Sequence, residues 1–206
     1  MRSLHRPAAH GAAAPTLVVW LPGAFQCAQD FIDAGFESAV RSRELPIDLE
    51  FVDLESQHLG DRSVLEELQR DVVAPARARG CRSIWLAGIS LGGFTALAYA
   101  ELYQEAWDGL CLLAPYLGNR TLIAEIAGAA RAGASALSDW QPGALVESDE
   151  ERRLWRFIQA LPATARPVYL GYGSEDRFAA AHGLMAGHCR LGRWTASRAG
   201  TTGRPG

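Results

Sequence analysis

A chain of 206 residues, 49% apolar and with a formal net charge of −3, is long enough to bury one sizeable core, and a single domain is the expectation. Its acidic and basic side chains are interspersed, with no basic stripe for nucleic acid and no polybasic patch for a membrane surface, so neither partner is expected. The four cysteines, Cys27, Cys81, Cys111 and Cys189, lack C-x-x-C spacing, and three lie in or near apolar segments. They read as reduced thiols of a cytoplasmic protein, and no metal site is expected.

Residues 1–15 are rich in Ala, Arg and His, lack the continuous apolar stretch of a secretory leader, and read as a loose, flexible N-terminal tail. No later run is long enough to span a bilayer. Beyond the tail, short apolar runs alternate with helical patterns. The runs 16–21, 47–54, 83–87, 109–114 and 167–172 have the composition of strands buried on both faces, and the stretches around 31–43, 63–79, 91–103 and 121–136 have helical spacing. This alternation predicts an α/β fold over residues 16–187: a doubly wound, mostly parallel sheet with functional groups at the carboxyl ends of its strands. Residues 116–162 form a longer connection than one crossover helix requires. With Trp140, Trp155 and apolar residues Leu122, Ile123, Ile126 and Leu137 at roughly helical spacing, they read either as a small helical lid or as packing helices with core tryptophans.

The third apolar run leads directly into Gly88-Ile89-Ser90-Leu91-Gly92, a G-x-S-x-G motif between a strand pattern and a helix pattern. A serine in that context sits on a sharp strand-to-helix turn with its hydroxyl above the sheet, and the glycines leave room for the bend. Ser90 is the candidate nucleophile. Acyl transfer through a serine generates a tetrahedral oxyanion that needs two oriented N–H donors. One would come from Leu91, and the other from the loop Leu21-Pro22-Gly23-Ala24-Phe25-Gln26, with Ala24 as first choice and Phe25 as its neighbour. Phe25 and Tyr116 are also candidates for the substrate pocket. After the last strand run, Gly173-Ser174-Glu175-Asp176-Arg177-Phe178 offers a carboxylate to orient a general-base histidine. Asp176 fits that post, Glu175 is adjacent, and the alternative for either is a helix N-cap or first-turn acid.

Taken together, Leu17-Val18-Val19-Trp20-Leu21-Pro22-Gly23, the elbow, Leu112-Leu113-Ala114-Pro115-Tyr116-Leu117-Gly118-Asn119-Arg120 and the Asp176 segment resemble the α/β-hydrolase superfamily, and more narrowly a group of small bacterial serine hydrolases of the esterase type. The resemblance implies a strand order of 2-1-3-4-5 and cleavage of a small-molecule carboxylic ester or thioester through an acyl-enzyme, with no cofactor. Two departures are visible. Pro22 stands where many members carry His before the oxyanion glycine, and the initial antiparallel hairpin of larger members is absent.

The resemblance also implies a catalytic histidine after one further strand, commonly within a Gly-His turn. Only His182 and His188 follow Asp176. His182 is the leading candidate within the chain, although it lies close after the acid in a helical stretch and also reads as a helix-end or pocket residue; His188 is weaker, and the earlier His58 breaks the expected order. A different explanation lies in the tail. From about Gly187 onward the sequence lacks apolar periodicity and abounds in Arg, Gly, Thr and Ala, as GC-rich DNA translated out of register would. Suppose each true codon joins the third base of one codon to the first two of the next. The His188/Cys189 junction then encodes Leu and Trp194/Thr195 encodes Asp, while the junctions from Arg198 to Gly203 permit Gly-Gly-His-Asp-Trp. That string is similar to the turn carrying the histidine in these small hydrolases. On this reading residues 188–206 are an aberrant tail, expected to be disordered, and the chain lacks its own base. The alternative function is a non-catalytic binding protein on the same fold.

Overall fold

The computed structural model describes residues 1–8, 14–54, 62–129, 136–143 and 149–189. Its centre is the strand β2 (Thr16–Leu21), in which Leu17, Val19 and Leu21 are buried on one face while Val18 and Trp20 pack on the other. This two-sided apolar character places it inside a parallel sheet with β3 (Ile47–Val52) on one side and β4 (Ser83–Ile89) on the other. The sheet continues through β5 (Gly109–Leu113) to β6 (Val168–Gly171), each parallel to its neighbour. Numbered from β2, the parallel strands lie in the expected order of second, first, third, fourth and fifth.

The N-terminal segment departs from its expectation. Ser3–Arg6 forms a strand, β1, antiparallel to β3 with Ser3 opposite Val52 and Arg6 opposite Leu49. It is fastened at both ends, by Asp53 N–H donating to Arg2 O (2.9 Å) and by Ala8 N–H donating to Asp48 Oδ1 (2.8 Å). His5 Nδ1 lies 2.7 Å from Glu50 Oε2 across the pair. Residues 1–8 are therefore not a loose tail. A four-residue edge strand is specified by backbone pairing more than by its side chains, which is why no apolar pattern announced it.

Several expected helices are divided. The stretch around 31–43 is two short helices, α1 (Ala28–Asp33) and α2 (Phe36–Arg41), separated where Gly35 adopts φ 85°. The stretch 63–79 is α3 (Arg62–Leu68), a wide π turn over Gln69–Val73, and α4 (Ala74–Ala78). The wide turn lies just before Pro75, which has no N–H to continue a regular ladder. Helix α5 (Leu91–Leu102) follows β4; α6 (Arg120–Gly128), α7 (Ala136–Asp139) and α8 (Glu150–Ala160) lie between β5 and β6, and α9 (Ala179–Ala186) follows β6.

Two apolar clusters cover the two faces. The larger joins Leu17, Val19, Ile84, Leu86, Leu110 and Leu112 of the sheet to apolar side chains of α3, α5 and α8. The smaller packs Phe31 and Phe36 against Trp20 and Phe51, with ring centroids 4.7 Å apart for Trp20 and Phe36 and 5.5 Å for Phe31 and Phe51. Trp140 and Trp155 are buried in the larger cluster, where their indole N–H groups donate to Glu125 Oε1 (3.0 Å) and Leu117 O (2.6 Å). Both tryptophans of the long connection thus pack inward.

The burial pattern yields a direct test. Leu86 is wholly buried in β4, whereas Tyr169 on β6 is 46% exposed and stacks on Trp85. Leu86→Ala should cost about 2–5 kcal/mol in denaturant unfolding, through lost burial plus the cavity left behind, and Tyr169→Ala clearly less. Equal losses would contradict the assignment of these two positions.

Candidate active site

The turn from β4 into α5 forces Ser90 to φ 50° and ψ −114°, a backbone region that costs a non-glycine residue free energy and persists only when its surroundings hold it. They do so through hydrogen bonds. Ser90 N–H donates to Leu113 O (3.1 Å), and Ser90 O accepts from the N–H groups of Gly93 (3.0 Å), Phe94 (3.2 Å) and Tyr116 (2.9 Å). The motif glycines permit the approach. A Cβ on Gly88 would stand 2.3 Å from Gly92 O, and one on Gly92 would stand 2.0 Å from Leu21 O. Ser90 itself is partly exposed, and its hydroxyl makes no capping bond to α5.

The loop after β2 meets this turn. Gly23 N–H donates to Gln26 Oε1 (2.9 Å) and Gln26 N–H to Gly23 O (3.2 Å), which closes a tight turn with Ala24 and Phe25 at its tip. Both tip residues are exposed, Phe25 almost completely at 99%, with φ 63°. Neither the Ala24 nor the Leu91 N–H donates to a described backbone carbonyl. Because Gly92 packs on the carbonyls of Leu21 and Pro22, the start of α5 and the start of this loop lie against one another at the carboxyl ends of β2 and β4.

Asp176 lies in the turn between β6 and α9. Its N–H donates to Gly173 O (3.1 Å), its carbonyl accepts from Ala179 N–H (2.9 Å), and its Oδ1 accepts from Phe178 N–H (2.7 Å). One carboxylate oxygen is therefore committed to its own turn, as a helix-capping acid's would be. Glu175 beside it is exposed. The acid's turn reaches the elbow through aromatic contacts: Phe178 meets Tyr116 edge-on at 6.0 Å, and Tyr116 tilts against Phe94 at 6.0 Å.

Among the described residues no histidine bonds to Ser90. His182 is wholly buried on α9 with Nε2 2.9 Å from Pro115 O. A carbonyl can only accept, so Nε2 carries the proton and donates it there, and Nδ1 is left with no partner among the described residues. Burial pushes the His182 pKa down, against weaker opposing effects of the Pro115 bond and of Asp176. His182 thus has no hydrogen bond to Ser90 or Asp176, and it braces Pro115. His188 is also buried, with Nε2 3.1 Å from Ser138 Oγ, and burial lowers its pKa as well. Of the tail 188–206, expected to be disordered, His188 and Cys189 are buried, and residues 190–206, like His58, lie outside the described residues.

A group absent from the sequence reading is Glu151 on α8. Its Oε1 accepts the Tyr116 hydroxyl (2.7 Å), and burial together with this bond pushes the Tyr116 phenol up to about 12. Nothing local in the sequence links residues 35 positions apart. Among the described residues no group of three or more His, Cys, Asp or Glu side chains could hold a metal ion, and no helix is long and apolar enough to cross a membrane.

The buried histidines give the fold a pH dependence. Both have folded pKa values below the ordinary 6.5. Between the folded and unfolded values the unfolded chain binds more protons, so this stability is fully present above 6.5 and is lost as pH falls. Thermal melts from about pH 7.5 to about pH 5 should show the wild type losing stability and His182→Gln losing less over that interval. Parallel losses would mean that His182 is not a source of the dependence.

No family model and no curated protein sequence matches the chain. Solved structures do. Est1E from Butyrivibrio proteoclasticus superposes with a TM-score of 0.64 at 13% identity, over 94% of this chain and 82% of that one. A thermophilic esterase from Thermogutta terrifontis gives 0.56 at 15% identity, over 94% and 82%. The fluorophosphonate-binding serine hydrolase FphF of Staphylococcus aureus gives 0.56 at 12% identity, over 83% and 68%. At such identities the likeness lies in architecture, and it agrees with the parallel order of β3, β2, β4, β5 and β6 and with a sharp turn where β4 enters α5. The chain has the α/β-hydrolase fold.

Proposed function

We propose that the chain is a serine hydrolase that cleaves a small-molecule carboxylic ester or thioester through an acyl-enzyme on Ser90, in the cytoplasm, a setting with which its four free cysteines agree. The observation that carries the reading is the strained Ser90 turn, in which φ 50° raises a partly exposed hydroxyl above the carboxyl end of β4 and beside the amino end of α5. In the proposed reaction Ser90 Oγ attacks the carbonyl carbon and passes its proton to a base. The resulting oxyanion is held by the N–H groups of Leu91 and Ala24, and collapse expels the alcohol or thiol. Water then releases the acid by the reverse sequence. Phe25 and Tyr116 line the approach, and Asp176 orients the base with the carboxylate oxygen not taken by Phe178 N–H.

The base itself is the missing member. The described histidines, His5, His182 and His188, bond to Glu50, Pro115 and Ser138, so Ser90 in this chain is expected to be a weak nucleophile. The reading locates the true base in the other frame of residues 188–206, with its codon shared between Gly200 and Thr201. A second reading, a binding protein on the same fold, is favoured by the same observation: no described histidine bonds to the serine.

Intact-mass measurement after treatment with a fluorophosphonate probe separates the two. Wild type should gain one adduct that Ser90→Ala lacks, with the variant's melting curve unchanged. Labelling that survives Ser90→Ala would overturn the assignment, and a folded chain that refuses the probe even with the frame restored would favour the binding reading. In a chain with the frame restored, turnover of p-nitrophenyl esters should rise, and Asp176→Asn should then lower it by about a thousandfold or more through the wrong histidine tautomer. If Glu175→Gln is the damaging change instead, the acid lies one residue earlier.

A further inference from the structure

The loop of residues 115–119, which follows β5, supplies one of the N–H groups that hold the Ser90 carbonyl, through Tyr116 (2.9 Å). This loop is gripped by α8 from outside the elbow. Glu151 Oε1 accepts the Tyr116 hydroxyl (2.7 Å), while its Oε2 accepts both the backbone N–H (3.1 Å) and the side-chain Nδ2 (2.5 Å) of Asn119. One turn along the helix, Trp155 Nε1 donates to Leu117 O (2.6 Å). Gly118 turns the chain between them at φ 112°, and a Cβ there would come 3.2 Å from Glu151 Oε2. On the other side His182 Nε2–H holds Pro115 O.

Glu151 is bonded to neutral donors alone: no Arg of the described residues pairs with it, whereas its neighbour Glu150 pairs with Arg62 (3.7 Å) and Arg153 (3.0 Å). A carboxylate is the one side chain that offers acceptors on both of its terminal atoms. Glutamine offers a single oxygen: set on the two Asn119 donors, it leaves its NH₂ to donate to the Tyr116 hydroxyl oxygen, which exchanges a charge-assisted bond for a weaker neutral one. The grip on the loop would weaken while the size of the side chain stays the same.

We propose that Glu151 is a positioning residue for Ser90, acting through Tyr116 and Asn119 to fix the loop that holds the Ser90 carbonyl. The chemical consequence rests on the acyl-enzyme reading; the mechanical one does not. A nucleophile misplaced by a fraction of an ångström loses rate more than affinity. In Glu151→Gln the second-order labelling of Ser90 by a fluorophosphonate should therefore fall about tenfold through its maximal rate, with the half-saturating probe concentration little changed. The Tyr116 amide, followed by hydrogen exchange, should exchange about tenfold faster. Tyr116→Phe removes the bond to Glu151 from the other end, and it carries the test should Glu151→Gln fail to fold. The double variant should be no slower than the worse single one, because both act through one contact.

The two readouts separate the two ideas. A folded chain that does not label at all even with the frame restored sinks the acyl-enzyme reading, and the Tyr116 amide then decides on its own whether Glu151 holds the loop. Wild-type amide protection with wild-type labelling in a folded Glu151→Gln overturns the proposal. So does a weaker half-saturation with unchanged maximal rate, which would make Glu151 and Tyr116 part of the binding surface instead.

Discussion

The Ser90 carbonyl is the constraint on which the functional end of the molecule depends. A positive φ at a residue with a side chain costs on the order of 1–3 kcal/mol and survives only where neighbours over-determine it. Here three N–H groups from two separate segments converge on one oxygen, and a fourth bond ties Ser90 N–H to β5. Two of the three donors belong to the first turn of α5, so the same contacts that hold the strain also start the helix. The third comes from the loop after β5, so the elbow is correct only if β4 and β5 are in register, with Ile89 beside Leu113. Sheet pairing, helix initiation and serine placement are one event.

That convergence explains the glycines and the packing around them. The first turn of α5 can reach the end of β2 only because Gly92 has no side chain to strike Leu21 O. The same approach sets the start of that loop against the start of α5, where the proposed oxyanion donors, the N–H groups of Ala24 and Leu91, lie. Main-chain donors cost no reorganisation when charge develops, because the fold has already fixed them. Aromatic contacts then connect this centre to the acid's turn, from Phe94 to Tyr116 to Phe178.

Much of this was legible in the sequence, for identifiable reasons. Strands buried on both faces leave apolar runs, and the runs that became β2 through β6 stood out, with ends misplaced by a residue or two. The elbow was legible because its chemistry is local: glycines at fixed spacing between a strand and a helix. β1 was not, since an edge strand held by backbone bonds has little side-chain signature. Nor were the breaks at Gly35 and before Pro75, where a left-handed glycine and a proline without an N–H divide apolar patterns that read as continuous helices. Glu151 illustrates the limit most clearly, because a contact made across 35 residues depends on how α8 lies over the sheet. Asp176 shows its capping reading in the bond from Phe178 N–H to Oδ1, and the proposed acid role would fall to the other carboxylate oxygen.

His182 shows why a histidine near the acid in sequence need not be the base. Its Nε2 proton is spent on Pro115 O, and its Nδ1 lies in a dry setting that opposes protonation. The nitrogen free to take a proton, Nδ1, is buried and has no hydrogen bond to Ser90, while Nε2 is held on Pro115, the residue next to the one whose N–H steadies the Ser90 carbonyl. The position that makes His182 useful to the loop therefore makes it unsuited to proton transfer. The two halves of the proposed chemistry accordingly stand on different footings. The proposed oxyanion donors are backbone groups, Leu91 at the elbow and Ala24 in the loop after β2, and so depend on no particular side chain. A base is a single side chain delivered by one segment, and a change confined to that segment removes it while leaving the elbow intact. On the proposed reading, such a chain keeps the electrostatic share of catalysis, which in serine hydrolases is worth roughly a thousandfold over water, and lacks the share that depends on moving a proton.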